Sequence, residues 1–231
     1  DRTVQLFDCD LPEGKCSAFC PRTPVDLDTL RKSLYDIFAL TDEIGPVRDF
    51  LLTRAADPEL RACAQHGGTV TALLQLAMNE GLIDAAIVSG QNDEHECEGR
   101  FLDKREALRD YAKSRFFVSS TIAAFNRLPE SDGRKIGVVA PPCQAIALAK
   151  MKTAKIDGYA KTQSLGLVIG LFCGWTLATD TFRQLLVQYG LPVTELRGMD
   201  IPAGKNVLEL QTSRESMEVP MTEVDACIRT A

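Results

Sequence analysis

The sequence predicts an α/β protein: a mostly parallel sheet flanked by helices, with a cysteine-bearing remnant at the amino terminus and a β-hairpin region at the carboxyl terminus. Three observations carry this. Residues 83–88, 136–140 and 165–172 are apolar runs without polar alternation, the pattern of strands buried on both faces. Stretches of helical periodicity separate them, which is how parallel strands are connected. Toward the end of the chain, residues 206–211 and 217–220 switch to short alternating segments around a polar turn, the pattern of a hairpin.

The elements follow in order. Residues 1–24 are irregular, because Pro12, Gly14, Pro21 and Pro24 interrupt any helix. Helices are expected at about 26–40, capped by Asp26 or Asp28, and at about 46–56. After Asp57-Pro58, the pair Gly67-Gly68 precedes Val70, Leu73, Leu74, Ala77 and Met78, a stripe that makes a helix of three turns ended by Gly81. The strand at 83–88 leads into an acidic stretch, 93–98, expected as a solvated loop that carries His95 and Cys97. Helices are expected at 104–114 and 119–128. The strand at 136–140 breaks at Pro141-Pro142 into a helix from Cys143 or Gln144 to about Lys152. The strand at 165–172 is followed by a helix at 177–189.

Composition excludes several classes. The chain has 231 residues and a net charge of −6, with no Lys/Arg cluster, so a nucleic-acid partner is not expected. Its longest apolar stretch, 165–177, is too short to span a bilayer. The start has no initiator Met, basic region or apolar region of a signal peptide, and reads as a processing edge. Eight cysteines would suit four disulfides in a secreted chain, but a chain of this size is stable without staples and no secretory segment is visible. A reducing, cytoplasmic setting follows, in which crowded cysteines point to metal.

The crowded cysteines are Cys9, Cys16 and Cys20. Cys16-Ser-Ala-Phe-Cys20-Pro21 matches the last two ligands and the proline of the bacterial ferredoxin pattern for a 4Fe-4S cluster. Cys9 lies one residue early for the first ligand, and Glu13 stands where the second would be. Residues 1–24 therefore read as a partial ferredoxin-like segment, with a zinc knuckle or unligated thiols as the alternatives. Residues 25–60 read as a helical connector and 61–231 as the main α/β domain.

Three further segments carry candidate chemistry. At Gly67-Gly68-Thr69-Val70-Thr71 two glycines open a helix whose free N–H groups and dipole favour phosphate, with Thr69 and Thr71 as hydroxyl donors. A plain tight turn is the alternative. It is not a dinucleotide fingerprint, which needs a third glycine and a preceding strand. At Pro142-Cys143-Gln144 a strand delivers a thiol to a helix start, placed to serve as a thiolate ligand or nucleophile. Gly170-Leu-Phe-Cys173 repeats that arrangement, so Cys143 and Cys173 should share one sheet edge and one metal. Buried structural thiols are the alternative. Cys63, upstream of the glycine pair, could reach the same edge.

In this order, these segments resemble the beta-subunit family of coenzyme F420 hydrogenases and dehydrogenases, which includes formate dehydrogenase beta subunits and a chlorophyllide reductase. The resemblance rests on Cys16-x3-Cys20-Pro21-Arg22, residues 67–74, Lys113-Ser114-Arg115-Phe116, Pro142-Cys143-Gln144 and Gly170-Leu171-Phe172-Cys173. The stretches 200–205 and 219–227 also match. It implies FAD held by Gly67, Gly68, Thr69, Thr71 and Ser114 near Pro142 and Gln144, and 4Fe-4S clusters drawing on Cys9, Cys16, Cys20, Cys63, Cys143, Cys173 and Cys227. The third segment reads Ser-Arg-Phe where the family has Ser-Lys-Tyr.

The resemblance further implies an internal fragment of an electron-transfer subunit. Flavin takes electrons in pairs and releases them singly to clusters. The donor would be reduced deazaflavin F420, NAD(P)H or ferredoxin. The partners would be other subunits of a hydrogenase, formate dehydrogenase or heterodisulfide-reductase-like complex. A flavin and iron–sulfur reductase of a small organic substrate and a non-catalytic docking adaptor are the competing functions.

Overall fold

The computed structural model describes residues 8, 10, 14–35, 40–41, 45–91, 96–129, 132–154 and 161–230. Cys9 and His95 lie outside them. The first element is a single turn, α1 (Lys15–Ala18), followed by α2 (Leu27–Leu34), whose cap is Asp26: its carboxylate accepts from the Thr29 N–H at 3.0 Å. The expected helix is therefore confirmed but shorter. A two-residue pair, β1 (Leu40–Thr41) with β2 (Gly45–Pro46), comes next.

The helix expected at 46–56 does not form. Residues 45–46 are extended and 47–54 have no regular structure. The next helix, α3 (Pro58–Cys63), starts after Asp57, which accepts from the Glu59 N–H at 2.9 Å. The segment before it instead joins the glycine pair: the Ala55 N–H donates to the Gly67 carbonyl at 2.7 Å. A tertiary contact overrides a weak local pattern here.

The glycine-led helix is α4 (Thr69–Asn79), as the stripe required. Then come β3 (Ala85–Gln91) and β4 (Cys97–Leu102). The second is a correction: Cys97 and Glu98 begin an antiparallel edge strand and are not in a solvated loop. Residues 105–111 form a 3-10 turn where an α-helix was expected. The remaining elements of the main layer are α5 (Thr121–Arg127), β5 (Ile136–Ala140), α6 (Pro142–Thr153) and β6 (Leu165–Gly170).

The main sheet has the order β4-β3-β5-β6; β3, β5 and β6 are parallel and β4 is antiparallel. Alternate residues of its strands feed two cores. Ala85, Ile87, Ile136 and Val138 pack with Phe125 of α5 and Leu148 and Met151 of α6. Ala86, Val88 and Val139 pack with Leu74 and Ala77 of α4 and with Leu108. Full burial of each valine, leucine, isoleucine, phenylalanine or methionine among them contributes about 1.5–3 kcal/mol. Gly137 leaves no room for a side chain under this layer, since a Cβ there would sit 2.7 Å from Ile83 Cδ1 and 3.3 Å from Leu74 Cδ2 of α4.

Beyond β6 come β7 (Trp175–Leu177), α7 (Thr179–Gln188), β8 (Leu196–Asp200), β9 (Val207–Thr212), β10 (Ser216–Pro220), α8 (Met221–Val224) and β11 (Ile228–Thr230). The expected hairpin is β9–β10, extended by β8 into a three-stranded antiparallel sheet; β7 pairs with β11. Phe182, Leu186, Leu208, Leu210 and Val219 form the separate core of this region. No helix among the described residues is long and apolar enough to cross a membrane.

Candidate functional site

Strand order places the Cys143 and Cys173 segments side by side. Ala140, the last residue of β5, pairs with Gly170, the last of β6, and the Leu171 N–H donates to the Ala140 carbonyl at 2.9 Å. Each cysteine follows its paired residue by the same three positions, on the carboxyl edge of a parallel sheet, where ligands bind in open α/β folds. Both thiols are exposed, as is Phe172 between them in sequence, at 90%.

A third segment closes on this edge. The Gln144 amide N–H donates to the Ser119 carbonyl at 2.7 Å. Its oxygen accepts from the Thr121 hydroxyl at 2.8 Å and from the Ile122 N–H at 3.1 Å. Gln144, expected to bind cofactor, thus braces the start of α5. The Leu177 N–H donates to the Phe116 carbonyl at 2.7 Å, and the rings of Phe116 and Trp175 stack at 5.5 Å. Residue 119 is buried, and its hydroxyl has no partner among the described residues. A buried hydroxyl left open in this way invites a water or a ligand group.

The glycine pair builds a second corner. Gly68 has φ +72° and precedes α4, whose first turn has no side-chain cap. Its amino-terminal N–H groups therefore remain for an acceptor from outside. Gly67 sits tight against the protein's own backbone, since a Cβ there would lie 3.1 Å from the Thr53 carbonyl oxygen. Thr69 shares a hydrogen bond of 3.0 Å with the Thr53 hydroxyl, and Thr71 is buried. Thr69 is therefore the threonine of the pair that remains at the turn's surface.

Next to this turn stands a residue that the sequence did not single out. Gln65 donates from its amide to the Asp200 carboxylate and accepts the Ser114 N–H at 3.0 Å. Gln65, two residues ahead of segment 67–74, thereby ties segments 113–116 and 200–205 to the approach to the glycine turn. Arg109 reinforces the corner with ion pairs to Asp57 at 2.7 Å and Glu59 at 3.1 Å. No pattern in one sequence marks a glutamine for such a role.

The other thiols are dispersed. Cys16, within α1, is exposed, and Cys20, two residues past its end, is half-buried. The Cys63 thiol closes on its own helix, donating to the Leu60 carbonyl at 3.2 Å. Cys227 is buried at 1% exposure in the carboxyl-terminal core, and burial pushes its thiol up. Burial also pushes up the thiol of Cys97, with Arg115 opposing the shift. Among the described residues, no three of His, Cys, Asp or Glu gather as a metal would require. The described cysteines thus offer pairs, Cys16/Cys20 and Cys143/Cys173, and no complete cluster ligand set.

Two family models match the chain. The one for the coenzyme F420 hydrogenase/dehydrogenase beta subunit N-terminus covers residues 50–126, and the one for the C-terminus covers 133–231. The coenzyme F420 hydrogenase beta subunit of Methanothermobacter thermautotrophicus is 27% identical over 70% of this chain and 59% of its own length. That of Methanosarcina barkeri is 31% identical over 66% of this chain and 53% of its own. The coenzyme F420-dependent sulfite reductase of Methanocaldococcus jannaschii is 30% identical over 71% and 27%. The chain thus spans less than two thirds of each of these relatives. A chain from the F420-reducing [NiFe] hydrogenase complex of Methanosarcina barkeri superposes with a TM-score of 0.68 at 25% identity, covering 76% of this chain and 61% of its own.

Proposed function

The chain belongs to the coenzyme F420 hydrogenase/dehydrogenase beta-subunit family, and from that premise we propose that it is the flavin-binding electron-transfer part of a multi-subunit oxidoreductase. Relatives named as hydrogenase and formate dehydrogenase beta subunits and as a sulfite reductase support the redox-complex reading. The donor is then a hydride carrier, reduced deazaflavin F420 or NAD(P)H, or else ferredoxin. The acceptor is a partner subunit, and the setting is cytoplasmic.

The observation that carries the flavin assignment is the uncapped start of α4. Its first turn offers backbone N–H groups and the positive end of the helix dipole, a fit for a pyrophosphate. The proposed FAD contacts are Gly68 and Thr69 at this turn, with the Ser114 segment held beside it by Gln65. Bound there, FAD exchanges a two-electron donor for one-electron acceptors. The protein's own part is placement: Arg109 and Gln65 fix the turn, and the brace by Gln144 fixes the sheet edge. For iron, the proposal is limited to the two pairs named above, each as part of a larger 4Fe-4S ligand set.

The test is Thr69→Asp. A carboxylate in the first turn of α4 satisfies the helix dipole by about 0.3–1 kcal/mol and repels phosphate. Flavin per chain should fall at least tenfold while the melting temperature holds or rises. Full flavin content with unchanged stability would place the flavin elsewhere.

A further inference from the structure

Helix α6 carries one thiol at its start and grips another segment two turns later. Cys143 lies in its first turn. Lys150, further along, donates from Nζ to the Cys20 carbonyl at 2.8 Å and to the Thr23 hydroxyl at 2.7 Å. Thr23 in turn donates to the carbonyls of Ser17 at 2.9 Å and Cys20 at 2.8 Å, so the ammonium closes a compact knot around residues 17–23. Phe19, inside that knot, packs against the core shared by α5 and α6.

The spacing of Cys143 and Lys150 has a geometric consequence. Seven residues make nearly two full turns, so both side chains leave the same face of α6, about 10 Å apart along the axis. The Cys16–Cys20 segment is therefore docked on the helix face that carries Cys143. Both acceptors of Lys150 are neutral oxygens, and the ammonium is half-buried, so its positive charge stands next to Cys20.

We propose that Lys150 is a positioning residue that latches the Cys16–Cys20 thiol pair onto α6, holding it at a fixed distance from Cys143. This deepens the reading of the two pairs as redox-metal ligands and rests on it for its purpose. Electron transfer falls steeply with distance, so a relay needs such a spacer. A hydrogen-bonded lysine that reaches across 130 residues of sequence to a neutral carbonyl is a costly way to build a surface loop, and a direct way to build a fixed gap.

The test follows thiol accessibility in the full chain, stripped of metal, by mass spectrometry after timed iodoacetamide labelling. The variants are Lys150→Met and Lys150→Arg. Lys150→Met should raise the labelling rate of Cys20 about tenfold, from loss of hydrogen bonds to a charged donor. The Cys143 rate should stay within about twofold, because the change is local and the helix remains. Lys150→Arg should restore most of the protection. An unchanged Cys20 rate, or an equal rise at Cys143, overturns the latch. Iron content after reconstitution with ferrous iron and sulfide decides the metal reading separately: a Cys16→Ser/Cys20→Ser chain binding as much iron as the wild type removes that reading, and the labelling rates still decide the latch.

Discussion

Gln144 donates from its side-chain amide to the carbonyl of Ser119 at 2.7 Å, and this one bond joins the first turn of α6 to the loop before α5. The same side chain accepts from the Thr121 hydroxyl and the Ile122 N–H, so all three contacts fall within one short segment. Gln144→Glu keeps the two accepted bonds and sets a carboxylate oxygen against the Ser119 carbonyl. The expected loss is about 1–3 kcal/mol of stability. Urea unfolding with an unchanged slope checks it. A shift below about 0.5 kcal/mol, the scale of an ordinary surface change, would mean the brace is dispensable.

Much of the fold could be read from the sequence, because the three buried strands and the α4 stripe are patterns that local physics imposes. The failures have physical causes. Residues 46–56 carry a helix-like pattern, but Ala55 bonds to Gly67 and the segment serves as the floor of the glycine turn. β4 escaped notice because its polar start, Cys97-Glu98, pairs with Gln91 and Gly90 at a sheet edge, where polar residues are tolerated. At the site, the common edge of Cys143 and Cys173 followed from two similar strand ends. Gln65 and Lys150 did not, since each acts across more than a hundred residues of sequence, on Asp200 and on Cys20.

Gly68 has φ +72°, in the left-handed region. Gly68→Ala should therefore cost about 1–2 kcal/mol whatever binds nearby. Gly68→Asn should cost less, because asparagine tolerates this conformation. Since the proposed flavin contact uses backbone N–H groups, the asparagine variant should keep its flavin. Thermal melts and flavin absorbance on both variants check this. Equal destabilisation by Ala and Asn would show that space and not backbone angle limits the position.

Asp132 gives a pH signature. Hydrogen bonds from the Arg134 guanidinium, at 2.7 and 2.6 Å, hold its carboxyl below the ordinary carboxylate range. The folded value is depressed, so the pair's contribution is fully present above the unfolded value of about 3.9. It is lost as pH falls through the lowered folded value. The stability gap between wild type and Asp132→Asn should be constant from neutral pH to about 5 and close below about 4. Denaturation midpoints across that range measure it, and a gap that widens on acidification would contradict the assigned sign.

The last prediction concerns the direction of electron flow. Cys16, within α1, and Cys20, just past its end, stand on a segment attached to the main domain through α6, while α4 and its glycine turn belong to the other core. A metal group on this segment would lie between the main domain, with its proposed flavin, and whatever approaches its outer face, and Cys16 is exposed there. Replacing both cysteines by serine changes no core residue, since neither is buried, and leaves the Lys150 contact, which uses the Cys20 backbone. Reduction of the flavin by the small-molecule donor, read with an artificial two-electron acceptor, should therefore remain within about twofold, the range of an ordinary surface change. Turnover with the complete physiological complex should fall by at least tenfold, because the exit for single electrons is gone. Equal losses in both assays would mean that the segment supports the fold of the main domain. Full activity in both would mean that electrons leave by another route, and the Cys143/Cys173 edge would then be the place to look.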